Sequence, residues 1–205
     1  MRISISILKE KNNIENVINK LNNTDCDNIH LDIMDNTFTN TSSFELCDFK
    51  NIKNNKKYDI HIMSTNLNYQ INEAIKLEPE YITIHYESNK EILKFIRLIK
   101  DNNIKAGIAI NPNTSIEEIK ELLEEIDLLL VMSVEPGKSG QDFIMSTIDK
   151  LKIINDFKHD FIISVDGGIN NNTIKLIEKY VDMIVSGSYI TNSIDFQKNI
   201  DILRM

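Results

Sequence analysis

The chain has 205 residues, of which 41% are hydrophobic and 26% charged, a composition that fits one globular domain and excludes a small disulfide-rich module. Its 31 acidic and 23 basic side chains give a net charge of -8, which disfavours nucleic acid and anionic membranes as partners. No apolar run approaches the roughly 18 residues of a membrane span, and the two cysteines form no C-x-x-C pair. The N-terminus shows no targeting pattern, so we expect a cytoplasmic protein.

Short runs rich in Ile and Val alternate with longer amphipathic segments along the chain, which is the pattern of repeated βα units. We count eight such units. The predicted strands are, in chain order, residues 3–8, 29–34, 58–63, 81–85, 105–110, 128–132, 161–166 and 183–186. Apolar residues at three- and four-residue spacing between the strands, as at Ile92, Phe95, Ile96 and Ile99, predict helices.

The length of the βα units limits the architectures that the chain can form. Eight units leave about 25 residues each, close to the lower limit for a closed barrel. An open doubly wound sheet is the alternative, but KEKNN follows the first strand in place of a glycine-rich dinucleotide turn. No Pro/Gly/Ser-rich linker divides the chain. The sequence therefore predicts an α/β fold, a single-domain (β/α)8 TIM barrel over residues 1–205.

Polar side chains interrupt the apolar pattern on one face of several predicted strands. His30 and Asp32 share a face of the second strand, His61 lies on the third, and Asp166 ends the seventh. The opposite faces carry Ile and Val and would pack on helices. In a TIM barrel the inward residues at the C-terminal strand ends carry the chemistry. We therefore expect these four side chains to converge on one pocket.

The four side chains have alternative interpretations, since an inward His is often a hydrogen-bonded core residue and a strand-end Asp is often a loop cap. Two buried carboxylates are costly without a cation, however, and a divalent metal relieves their repulsion. Two imidazoles and two carboxylates suit Zn²⁺, Fe²⁺ or Mn²⁺. Three methionines at inward strand ends are usual core fillers but here would wall the pocket: Met34, Met63 and Met132.

Glycine-bearing turns follow the last two strands, VDGGIN at 165–170 and VSGSYI at 185–190. Their bare backbone amides predict a phosphate site, although glycine can also serve only to allow a tight turn. The longest connection, MSVEPGKSGQDF at 132–143, follows the sixth strand and is richest in Gly, Ser and Pro. We expect it to act as a lid that excludes water, with an ordinary surface loop as the alternative.

Taken together, these segments resemble the ribulose-phosphate 3-epimerase family over nearly the whole chain. The family's motifs occur in the family's order, as SIL at 6–8, HLDIMD at 30–35, DIHIM at 59–63, ITIHYE at 82–87, GIAINPNT at 107–114, VMSVEPGKSGQ at 131–141, VDGGIN at 165–170 and GSYI at 187–190. No single motif is decisive, but eight in register are specific. The resemblance implies interconversion of D-ribulose 5-phosphate and D-xylulose 5-phosphate in the pentose phosphate pathway.

The resemblance also implies roles for individual residues. A divalent metal, Zn²⁺ or Fe²⁺ with Mn²⁺ or Co²⁺ as alternatives, would be held by His30, Asp32, His61 and Asp166. Asp32 would also accept the proton and Asp166 donate it. Substrate contacts are expected from Ser6, His61, Gly137, Lys138, Ser139, Gly140, Asp166, Gly167, Gly168, Gly187 and Ser188. The expected partners are a phosphorylated ketopentose and further copies of the chain in a homo-oligomer.

The sequence departs from the family pattern in two places. Asn36 and Thr37 stand where the family usually has Gly and the start of His-Phe-x-Pro-Asn. The lid reads GKSGQ where GFGGQ is common, so Lys138 replaces an aromatic residue and Ser139 a glycine. These changes bear on lid packing and turnover rate and leave the metal and proton-transfer residues intact.

Three other functions remain open at the level of sequence. An allulose-6-phosphate 3-epimerase would perform the same chemistry on a hexulose. A non-catalytic phosphosugar-binding barrel would keep the phosphate loops without turnover. An indole-type or histidine-pathway barrel would share those loops but lack the inward histidine pair. If neither aspartate carried the proton, His85 at the end of the fourth strand would be the nearest further candidate.

Overall fold

The computed structural model describes residues 1–204, whose eight strands form a closed parallel barrel in sequence order. The strands are β1 (Arg2–Ser6), β2 (Asn28–Met34), β3 (Lys57–Met63), β4 (Tyr81–His85), β5 (Lys105–Ile110), β6 (Leu128–Met132), β7 (Ile162–Asp166) and β8 (Met183–Ser186). Strand β8 pairs with β1 and closes the barrel. The predicted (β/α)8 TIM barrel is confirmed, and the open sheet is excluded.

Helices surround the barrel. They are α1 (Ile14–Leu21), α2 (Leu67–Ile75), α3 (Ile92–Asp101), α4 (Ile116–Ile119), α5 (Thr147–Asn155), α6 (Ile174–Ile177), α7 (Ser188–Thr191) and α8 (Phe196–Arg204). The spacing that predicted α3 is confirmed, because its apolar residues Ile92, Phe95, Ile96 and Ile99 are all buried. Within residues 1–204, no helix combines the length and apolar character that crossing a bilayer would require.

The connection from β2 to β3 differs from the predicted βα pattern. Residues 35–56 hold a short 3₁₀ helix, Leu46–Phe49, and no α-helix. The stretch NTFTNTSS at 36–43 explains this difference, since Ser, Thr and Asn side chains compete with the helical backbone for hydrogen bonds. Phe44 and Phe49 are buried and pack edge to face at 5.4 Å, so aromatic side chains cover the barrel there in place of a helix.

The barrel interior has a polar side and an apolar side. Strands β1 to β4 turn polar side chains inward, among them Ser4, His30, Asp59, His61 and His85, which are all buried. The apolar cluster that fills the rest of the interior draws mainly on the other strands and contains Tyr81, Ala109, Leu128, Leu130, Met132, Val134, Met183 and Val185. Buried polar groups require hydrogen-bond partners, so the polar side of the interior is where a specific site can be built.

Candidate active site

Four side chains meet at the C-terminal end of the barrel. His30, Asp32, His61 and Asp166 each offer one ligand atom, and these atoms all lie within 4.8 Å of one another. Nε2 of His30 lies 3.4 Å from Asp32 and 3.9 Å from Asp166, while Nδ1 of His61 lies 3.3 Å and 3.8 Å from the same two carboxylates. The structure therefore brings together the four residues that the strand pattern selected.

The chemistry of this cluster fits a divalent metal. Nε2 of His30 is buried and has no hydrogen-bond partner within residues 1–204, and it faces the two carboxylates. Its other ring nitrogen, Nδ1, lies 2.7 Å from Oδ2 of Asp59. An orphaned imidazole nitrogen beside two carboxylates is a donor set that a cation satisfies, and a carboxylate on the far nitrogen is the usual support of a metal-binding histidine.

His61 is supported in a different way. Its Nε2 lies 2.9 Å from Nε2 of His85, and Nδ1 of His85 lies 3.1 Å from Oε2 of Glu87. The other carboxylate oxygen of Glu87 accepts hydrogen bonds from the Asn111 amide, at 2.8 Å, and from the Thr114 hydroxyl. Two buried rings and a carboxylate thus form a chain that leads away from the cluster.

The ionisation of this chain follows from its surroundings. Burial lowers the pKa of His85 to about 4, so its ring is neutral near pH 7. Burial would raise the pKa of Glu87, but hydrogen bonds from His85 and Thr114 outweigh it and hold the value at about 2. Glu87 is therefore an ionised carboxylate that can only accept hydrogen bonds.

Asp32 is the better-supported carboxylate of the pair. The Ser6 hydroxyl donates a hydrogen bond of 2.7 Å to its Oδ2, and the rings of His30 and His61 lie 3.4 Å and 3.3 Å from its Oδ1. Burial alone would raise the pKa of Asp32, but the neighbouring rings of His30 and His61 hold it well below its ordinary value. In the metal-free protein this group is a carboxylate anion.

Asp166 has the opposite electrostatic environment. Burial and the neighbouring Asp32 carboxylate raise the pKa of Asp166 to about 7. Two carboxyl groups that differ in this way can act as one proton acceptor and one proton donor. They enter the site from β2 and β7, which are separated in the barrel by β8 and β1, so they approach a molecule bound between them from different sides.

A cavity of about 380 Å³ opens above the cluster, and it falls in the range of small-molecule sites, roughly 300–1,000 Å³. Predicted residues that line it are Ser6, Asp32, Met63, Met132, Gly137, Lys138, Ser139, Gly140, Asp166, Gly167, Gly168, Gly187 and Ser188. His61, which was also predicted to contact the substrate, is fully buried and does not line the cavity. Three lining residues that the sequence analysis did not select are Asn170, Tyr189 and Asn192. Asn170 and Tyr189 lie within the segments 165–170 and 185–190, and Asn192 lies two residues beyond the second segment. Their position in or next to the glycine turns is the signal that could have selected them.

Met34 does not line this cavity, contrary to the prediction that it forms part of the pocket wall. It is buried at the end of β2, and its sulfur lies 3.3 Å from the Thr41 hydroxyl. The loop that follows β2 folds back over Met34, because Asp35 and Ser42 form an antiparallel bridge. Met34 therefore supports this loop, while Met63 and Met132 remain at the cavity.

The glycines after β7 are required by packing. Gly167 has φ +120°, and an added Cβ would lie 2.5 Å from the Val134 side chain. Gly168 has φ +65°, and an added Cβ would lie 2.6 Å from the Phe143 backbone nitrogen. Gly167 and Gly168 are therefore needed for a tight turn, which was the alternative to a phosphate site. The same tight packing brings their backbone to the cavity. Gly187 differs, since its φ is negative and an added Cβ would meet Ser6 at 3.3 Å.

The predicted lid lies at the cavity mouth and is hydrogen-bonded to the β2–β3 connection. The carbonyl of Gly137 accepts a hydrogen bond of 2.9 Å from the Thr41 hydroxyl in the β2–β3 connection. Within the lid, the Gln141 side chain donates to the carbonyls of Glu135, at 2.6 Å, and Lys138, at 2.9 Å. The Lys138 residue itself is exposed at the mouth. The structure thus holds this loop over the cavity.

In (β/α)8-barrel enzymes the active site lies at the C-terminal end of the strands, and the paired carboxylates and imidazoles of this protein lie at the same end, which places it in that class. Residues 2–191 match the sequence profile of the Ribulose-phosphate 3 epimerase family. Relatives include the ribulose-phosphate 3-epimerases of Buchnera aphidicola, 35% identical over 188 residues with 87% of this chain and 82% of that protein covered, and of Escherichia coli K12, 32% identical over 186 residues with 87% and 83% covered. The chain belongs to the ribulose-phosphate 3-epimerase family and is an isomerase.

Solved structures of low sequence identity share the barrel. Thiamine phosphate pyrophosphorylase from Pyrococcus furiosus superposes with a TM-score of 0.70 at 16% identity, covering 99% of this chain and 93% of that chain. The 3-hexulose-6-phosphate synthase from Salmonella typhimurium superposes with a TM-score of 0.69 at 19% identity, covering 99% and 96%. At such identities the likeness establishes the fold alone.

Proposed function

We propose that this protein interconverts D-ribulose 5-phosphate and D-xylulose 5-phosphate by inverting carbon 3. The observation that carries the proposal is the pair Asp32 and Asp166, which reach one cavity from β2 and β7 in a chain of the ribulose-phosphate 3-epimerase family. Inversion through a planar intermediate requires one proton-transfer group on each face. The proposal includes a cytoplasmic location and a step of the pentose phosphate pathway.

The proposed cofactor is a divalent metal held by His30, Asp32, His61 and Asp166. Zn²⁺ and Fe²⁺ are the preferred ions for two imidazoles and two carboxylates, with Mn²⁺ and Co²⁺ as alternatives. When bound, the metal would supply the positive charge that stabilises an enediolate. The support for it in the structure is the unpartnered Nε2 of His30.

The side chains carry out the proton transfer in this proposal. Asp32, oriented by the Ser6 hydroxyl, removes the proton from carbon 3 on one face of D-ribulose 5-phosphate. Asp166 delivers a proton to the opposite face and yields D-xylulose 5-phosphate. In the reverse direction the two carboxyl groups exchange roles. The Gly137–Gly140 lid limits the access of water to the enediolate.

The phosphate group of the substrate is bound, in this proposal, by backbone amides near Gly168, Gly187 and Ser188. Gly187→Val should raise KM by about tenfold or more, because losing one hydrogen bond to a charged group costs about 1.5–3 kcal/mol. Competitive inhibition by inorganic phosphate should weaken in parallel. If Val acted only by displacing Ser6, which an added Cβ would contact, kcat would fall while phosphate inhibition stayed unchanged.

Lys138 tests whether charge contributes to lid closure over the dianionic phosphate. Lys138→Ala should raise KM at low ionic strength by up to about fivefold, since exposed charge pairs contribute about 0.2–1 kcal/mol. The effect should shrink at high ionic strength because salt screens the attraction. Lys152→Ala, on the outer helix α5, is the matched control. A salt-independent effect of Lys138→Ala, or none, would identify Lys138 as a solvated surface charge.

The experiment that tests the proposed reaction follows D-ribulose 5-phosphate by NMR in deuterated water with metal-loaded protein. D-xylulose 5-phosphate should accumulate to equilibrium, and carbon 3 of both epimers should acquire deuterium, because its proton passes through the two carboxyl groups. Turnover to another product, or conversion without label at carbon 3, would refute the proposal. A chain that binds the sugar phosphate without converting it would be the non-catalytic barrel.

A further inference from the structure

In each histidine of the cluster, one ring nitrogen faces the candidate metal site and the other ring nitrogen contacts a different side chain. Asp59 holds His30, whereas His61 meets the ring of His85, which in turn meets Glu87. We propose that His85 and Glu87 are positioning residues that fix His61 in the tautomer whose Nδ1 is free to bind the metal. This inference rests on the metal dependence proposed above.

The contact between the two rings is a hydrogen bond within a shared plane. The Nε2 atoms of His61 and His85 are 2.9 Å apart, the ring centroids are 5.0 Å apart, and the planes differ by only 28°. With the nitrogens so much closer than the centroids, the rings meet edge to edge. A single hydrogen lies between the two nitrogens, so one ring donates it and the other accepts it.

Glu87 decides which ring donates. Its Oε1 accepts from the backbone amide of Asn111 at 2.8 Å, and its Oε2 lies 3.1 Å from Nδ1 of His85. A carboxylate only accepts, so Nδ1 of His85 carries a hydrogen. A neutral imidazole carries one such hydrogen, so Nε2 of His85 is the acceptor. Nε2 of His61 is then the donor, and the lone pair on Nδ1 of His61 faces Asp32 at 3.3 Å.

Burial keeps the rings of His61 and His85 neutral and keeps water out of the contact between them. The side chains of His61 and His85 are fully buried, where an uncompensated charge would be costly. Phe38 packs against the His85 ring at a centroid distance of 4.6 Å. Glu87 at the end of the chain is 22% exposed, so the anionic member is the one that reaches solvent.

Glu87→Gln should reverse the direction of the hydrogen bonds through His85 and His61 with little change in side-chain shape. The Asn111 amide is a fixed donor, so the carbonyl oxygen of the glutamine stays with it and the amide NH₂ faces His85. His85 must then accept at Nδ1 and carry its hydrogen on Nε2. This hydrogen forces the one on His61 from Nε2 to Nδ1, where it blocks the ligand position. A carboxylate-to-amide change that selects the wrong histidine tautomer disables a site while its geometry remains intact.

The test is a Zn²⁺ titration of metal-depleted protein in competition with a chromophoric chelator. Glu87→Gln should weaken Zn²⁺ binding by about 10- to 100-fold, the usual effect of losing the partner of a metal-binding histidine. Thr83→Val is the matched control, because Thr83 precedes His85 by two residues on the same inward strand face and its hydroxyl has no hydrogen-bond partner within residues 1–204. The control should bind Zn²⁺ like the unaltered protein.

The Zn²⁺ titration distinguishes failure of the metal site from failure of the positioning role. If the unaltered protein does not take up Zn²⁺, the proposed metal site fails and this inference fails with it. If the unaltered protein binds Zn²⁺ and Glu87→Gln binds it equally tightly, the metal site stands and the positioning role is refuted.

A measurement without a variant provides an independent check. In the Zn²⁺-loaded protein with ¹⁵N-labelled histidine, NMR should show His85 protonated at Nδ1 and bare at Nε2, with the half-buried His159 outside the cluster as a reference. Protonation of His85 at Nε2, alone or together with Nδ1, would overturn the inference even if Glu87→Gln failed to fold.

Discussion

Asp166→Asn is expected to abolish net epimerisation, with kcat falling by at least about 10²–10⁴-fold, because an amide cannot donate the proton that the second face requires. The variant should still exchange the carbon 3 proton of D-ribulose 5-phosphate with solvent deuterium through Asp32. Removal and return of a proton on one face need only that carboxylate. Asp32→Asn should also fail to epimerise, and it should exchange only from D-xylulose 5-phosphate. The readout is deuterium incorporation for each epimer.

The control for these two variants is Asp160→Asn, which removes the same charge at an exposed position in the loop before β7, outside the cavity lining. It should leave kcat close to that of the unaltered protein. Metal content is determined for each protein, since Asp32 and Asp166 both belong to the metal-type cluster. If a metal-loaded variant of either aspartate kept near-normal epimerisation, the two-base assignment would be wrong, and His85 would be the next group to test.

Removal of the metal is expected to have the second-largest effect. Chelation should abolish turnover, and readdition of Zn²⁺ or Fe²⁺ should restore it, since the cation stabilises the enediolate charge. Bound metal should also raise the free energy of unfolding, by about 4 kcal/mol at a metal concentration about 1,000 times Kd. The cause is the buried pair Asp32 and Asp166, in which burial and the neighbouring Asp32 carboxylate raise the pKa of Asp166 in the metal-free protein. Thermal melts with and without metal measure this gain.

His61→Ala should lower metal occupancy and activity together while the fold remains intact. His159→Ala is the matched control, because His159 lies in the loop before β7, outside the cluster. The metal content is measured by elemental analysis and the fold by circular dichroism. Full occupancy with normal turnover in His61→Ala would remove His61 from the set of ligands.

The strands and the four-residue cluster could be predicted from the sequence because apolar and polar residues alternate along the strands. Along β2, β3 and β7, apolar residues on one face pack on helices, so His30, Asp32, His61 and Asp166 had to point inward. The bounds of β4, β5, β6 and β8 match the prediction for the same reason. The connection after β2 could not be read this way, because a helix there depends on whether local Ser, Thr and Asn side chains capture the backbone.

The residues behind the cluster were missed for two different reasons. Asp59 precedes His61 by two positions on the same strand, so the alternation places it inward and could have identified it. Glu87 lies beyond the end of β4 in a 3₁₀ helix, where the period of two no longer applies. Only the folded chain shows that its carboxylate turns back to His85. The packing of Gly167 against Val134 likewise joins segments from two loops and leaves no local pattern.

The measurement that tests the central claim most directly is kcat/KM for D-ribulose 5-phosphate and allulose 6-phosphate, assayed side by side on protein of determined metal content. We expect efficient conversion of the pentulose phosphate to D-xylulose 5-phosphate and a clear preference for it over the hexulose phosphate. A higher kcat/KM for allulose 6-phosphate would make the protein a hexulose-phosphate epimerase. No conversion of either sugar by metal-loaded protein would contradict the assignment of epimerase chemistry to Asp32 and Asp166.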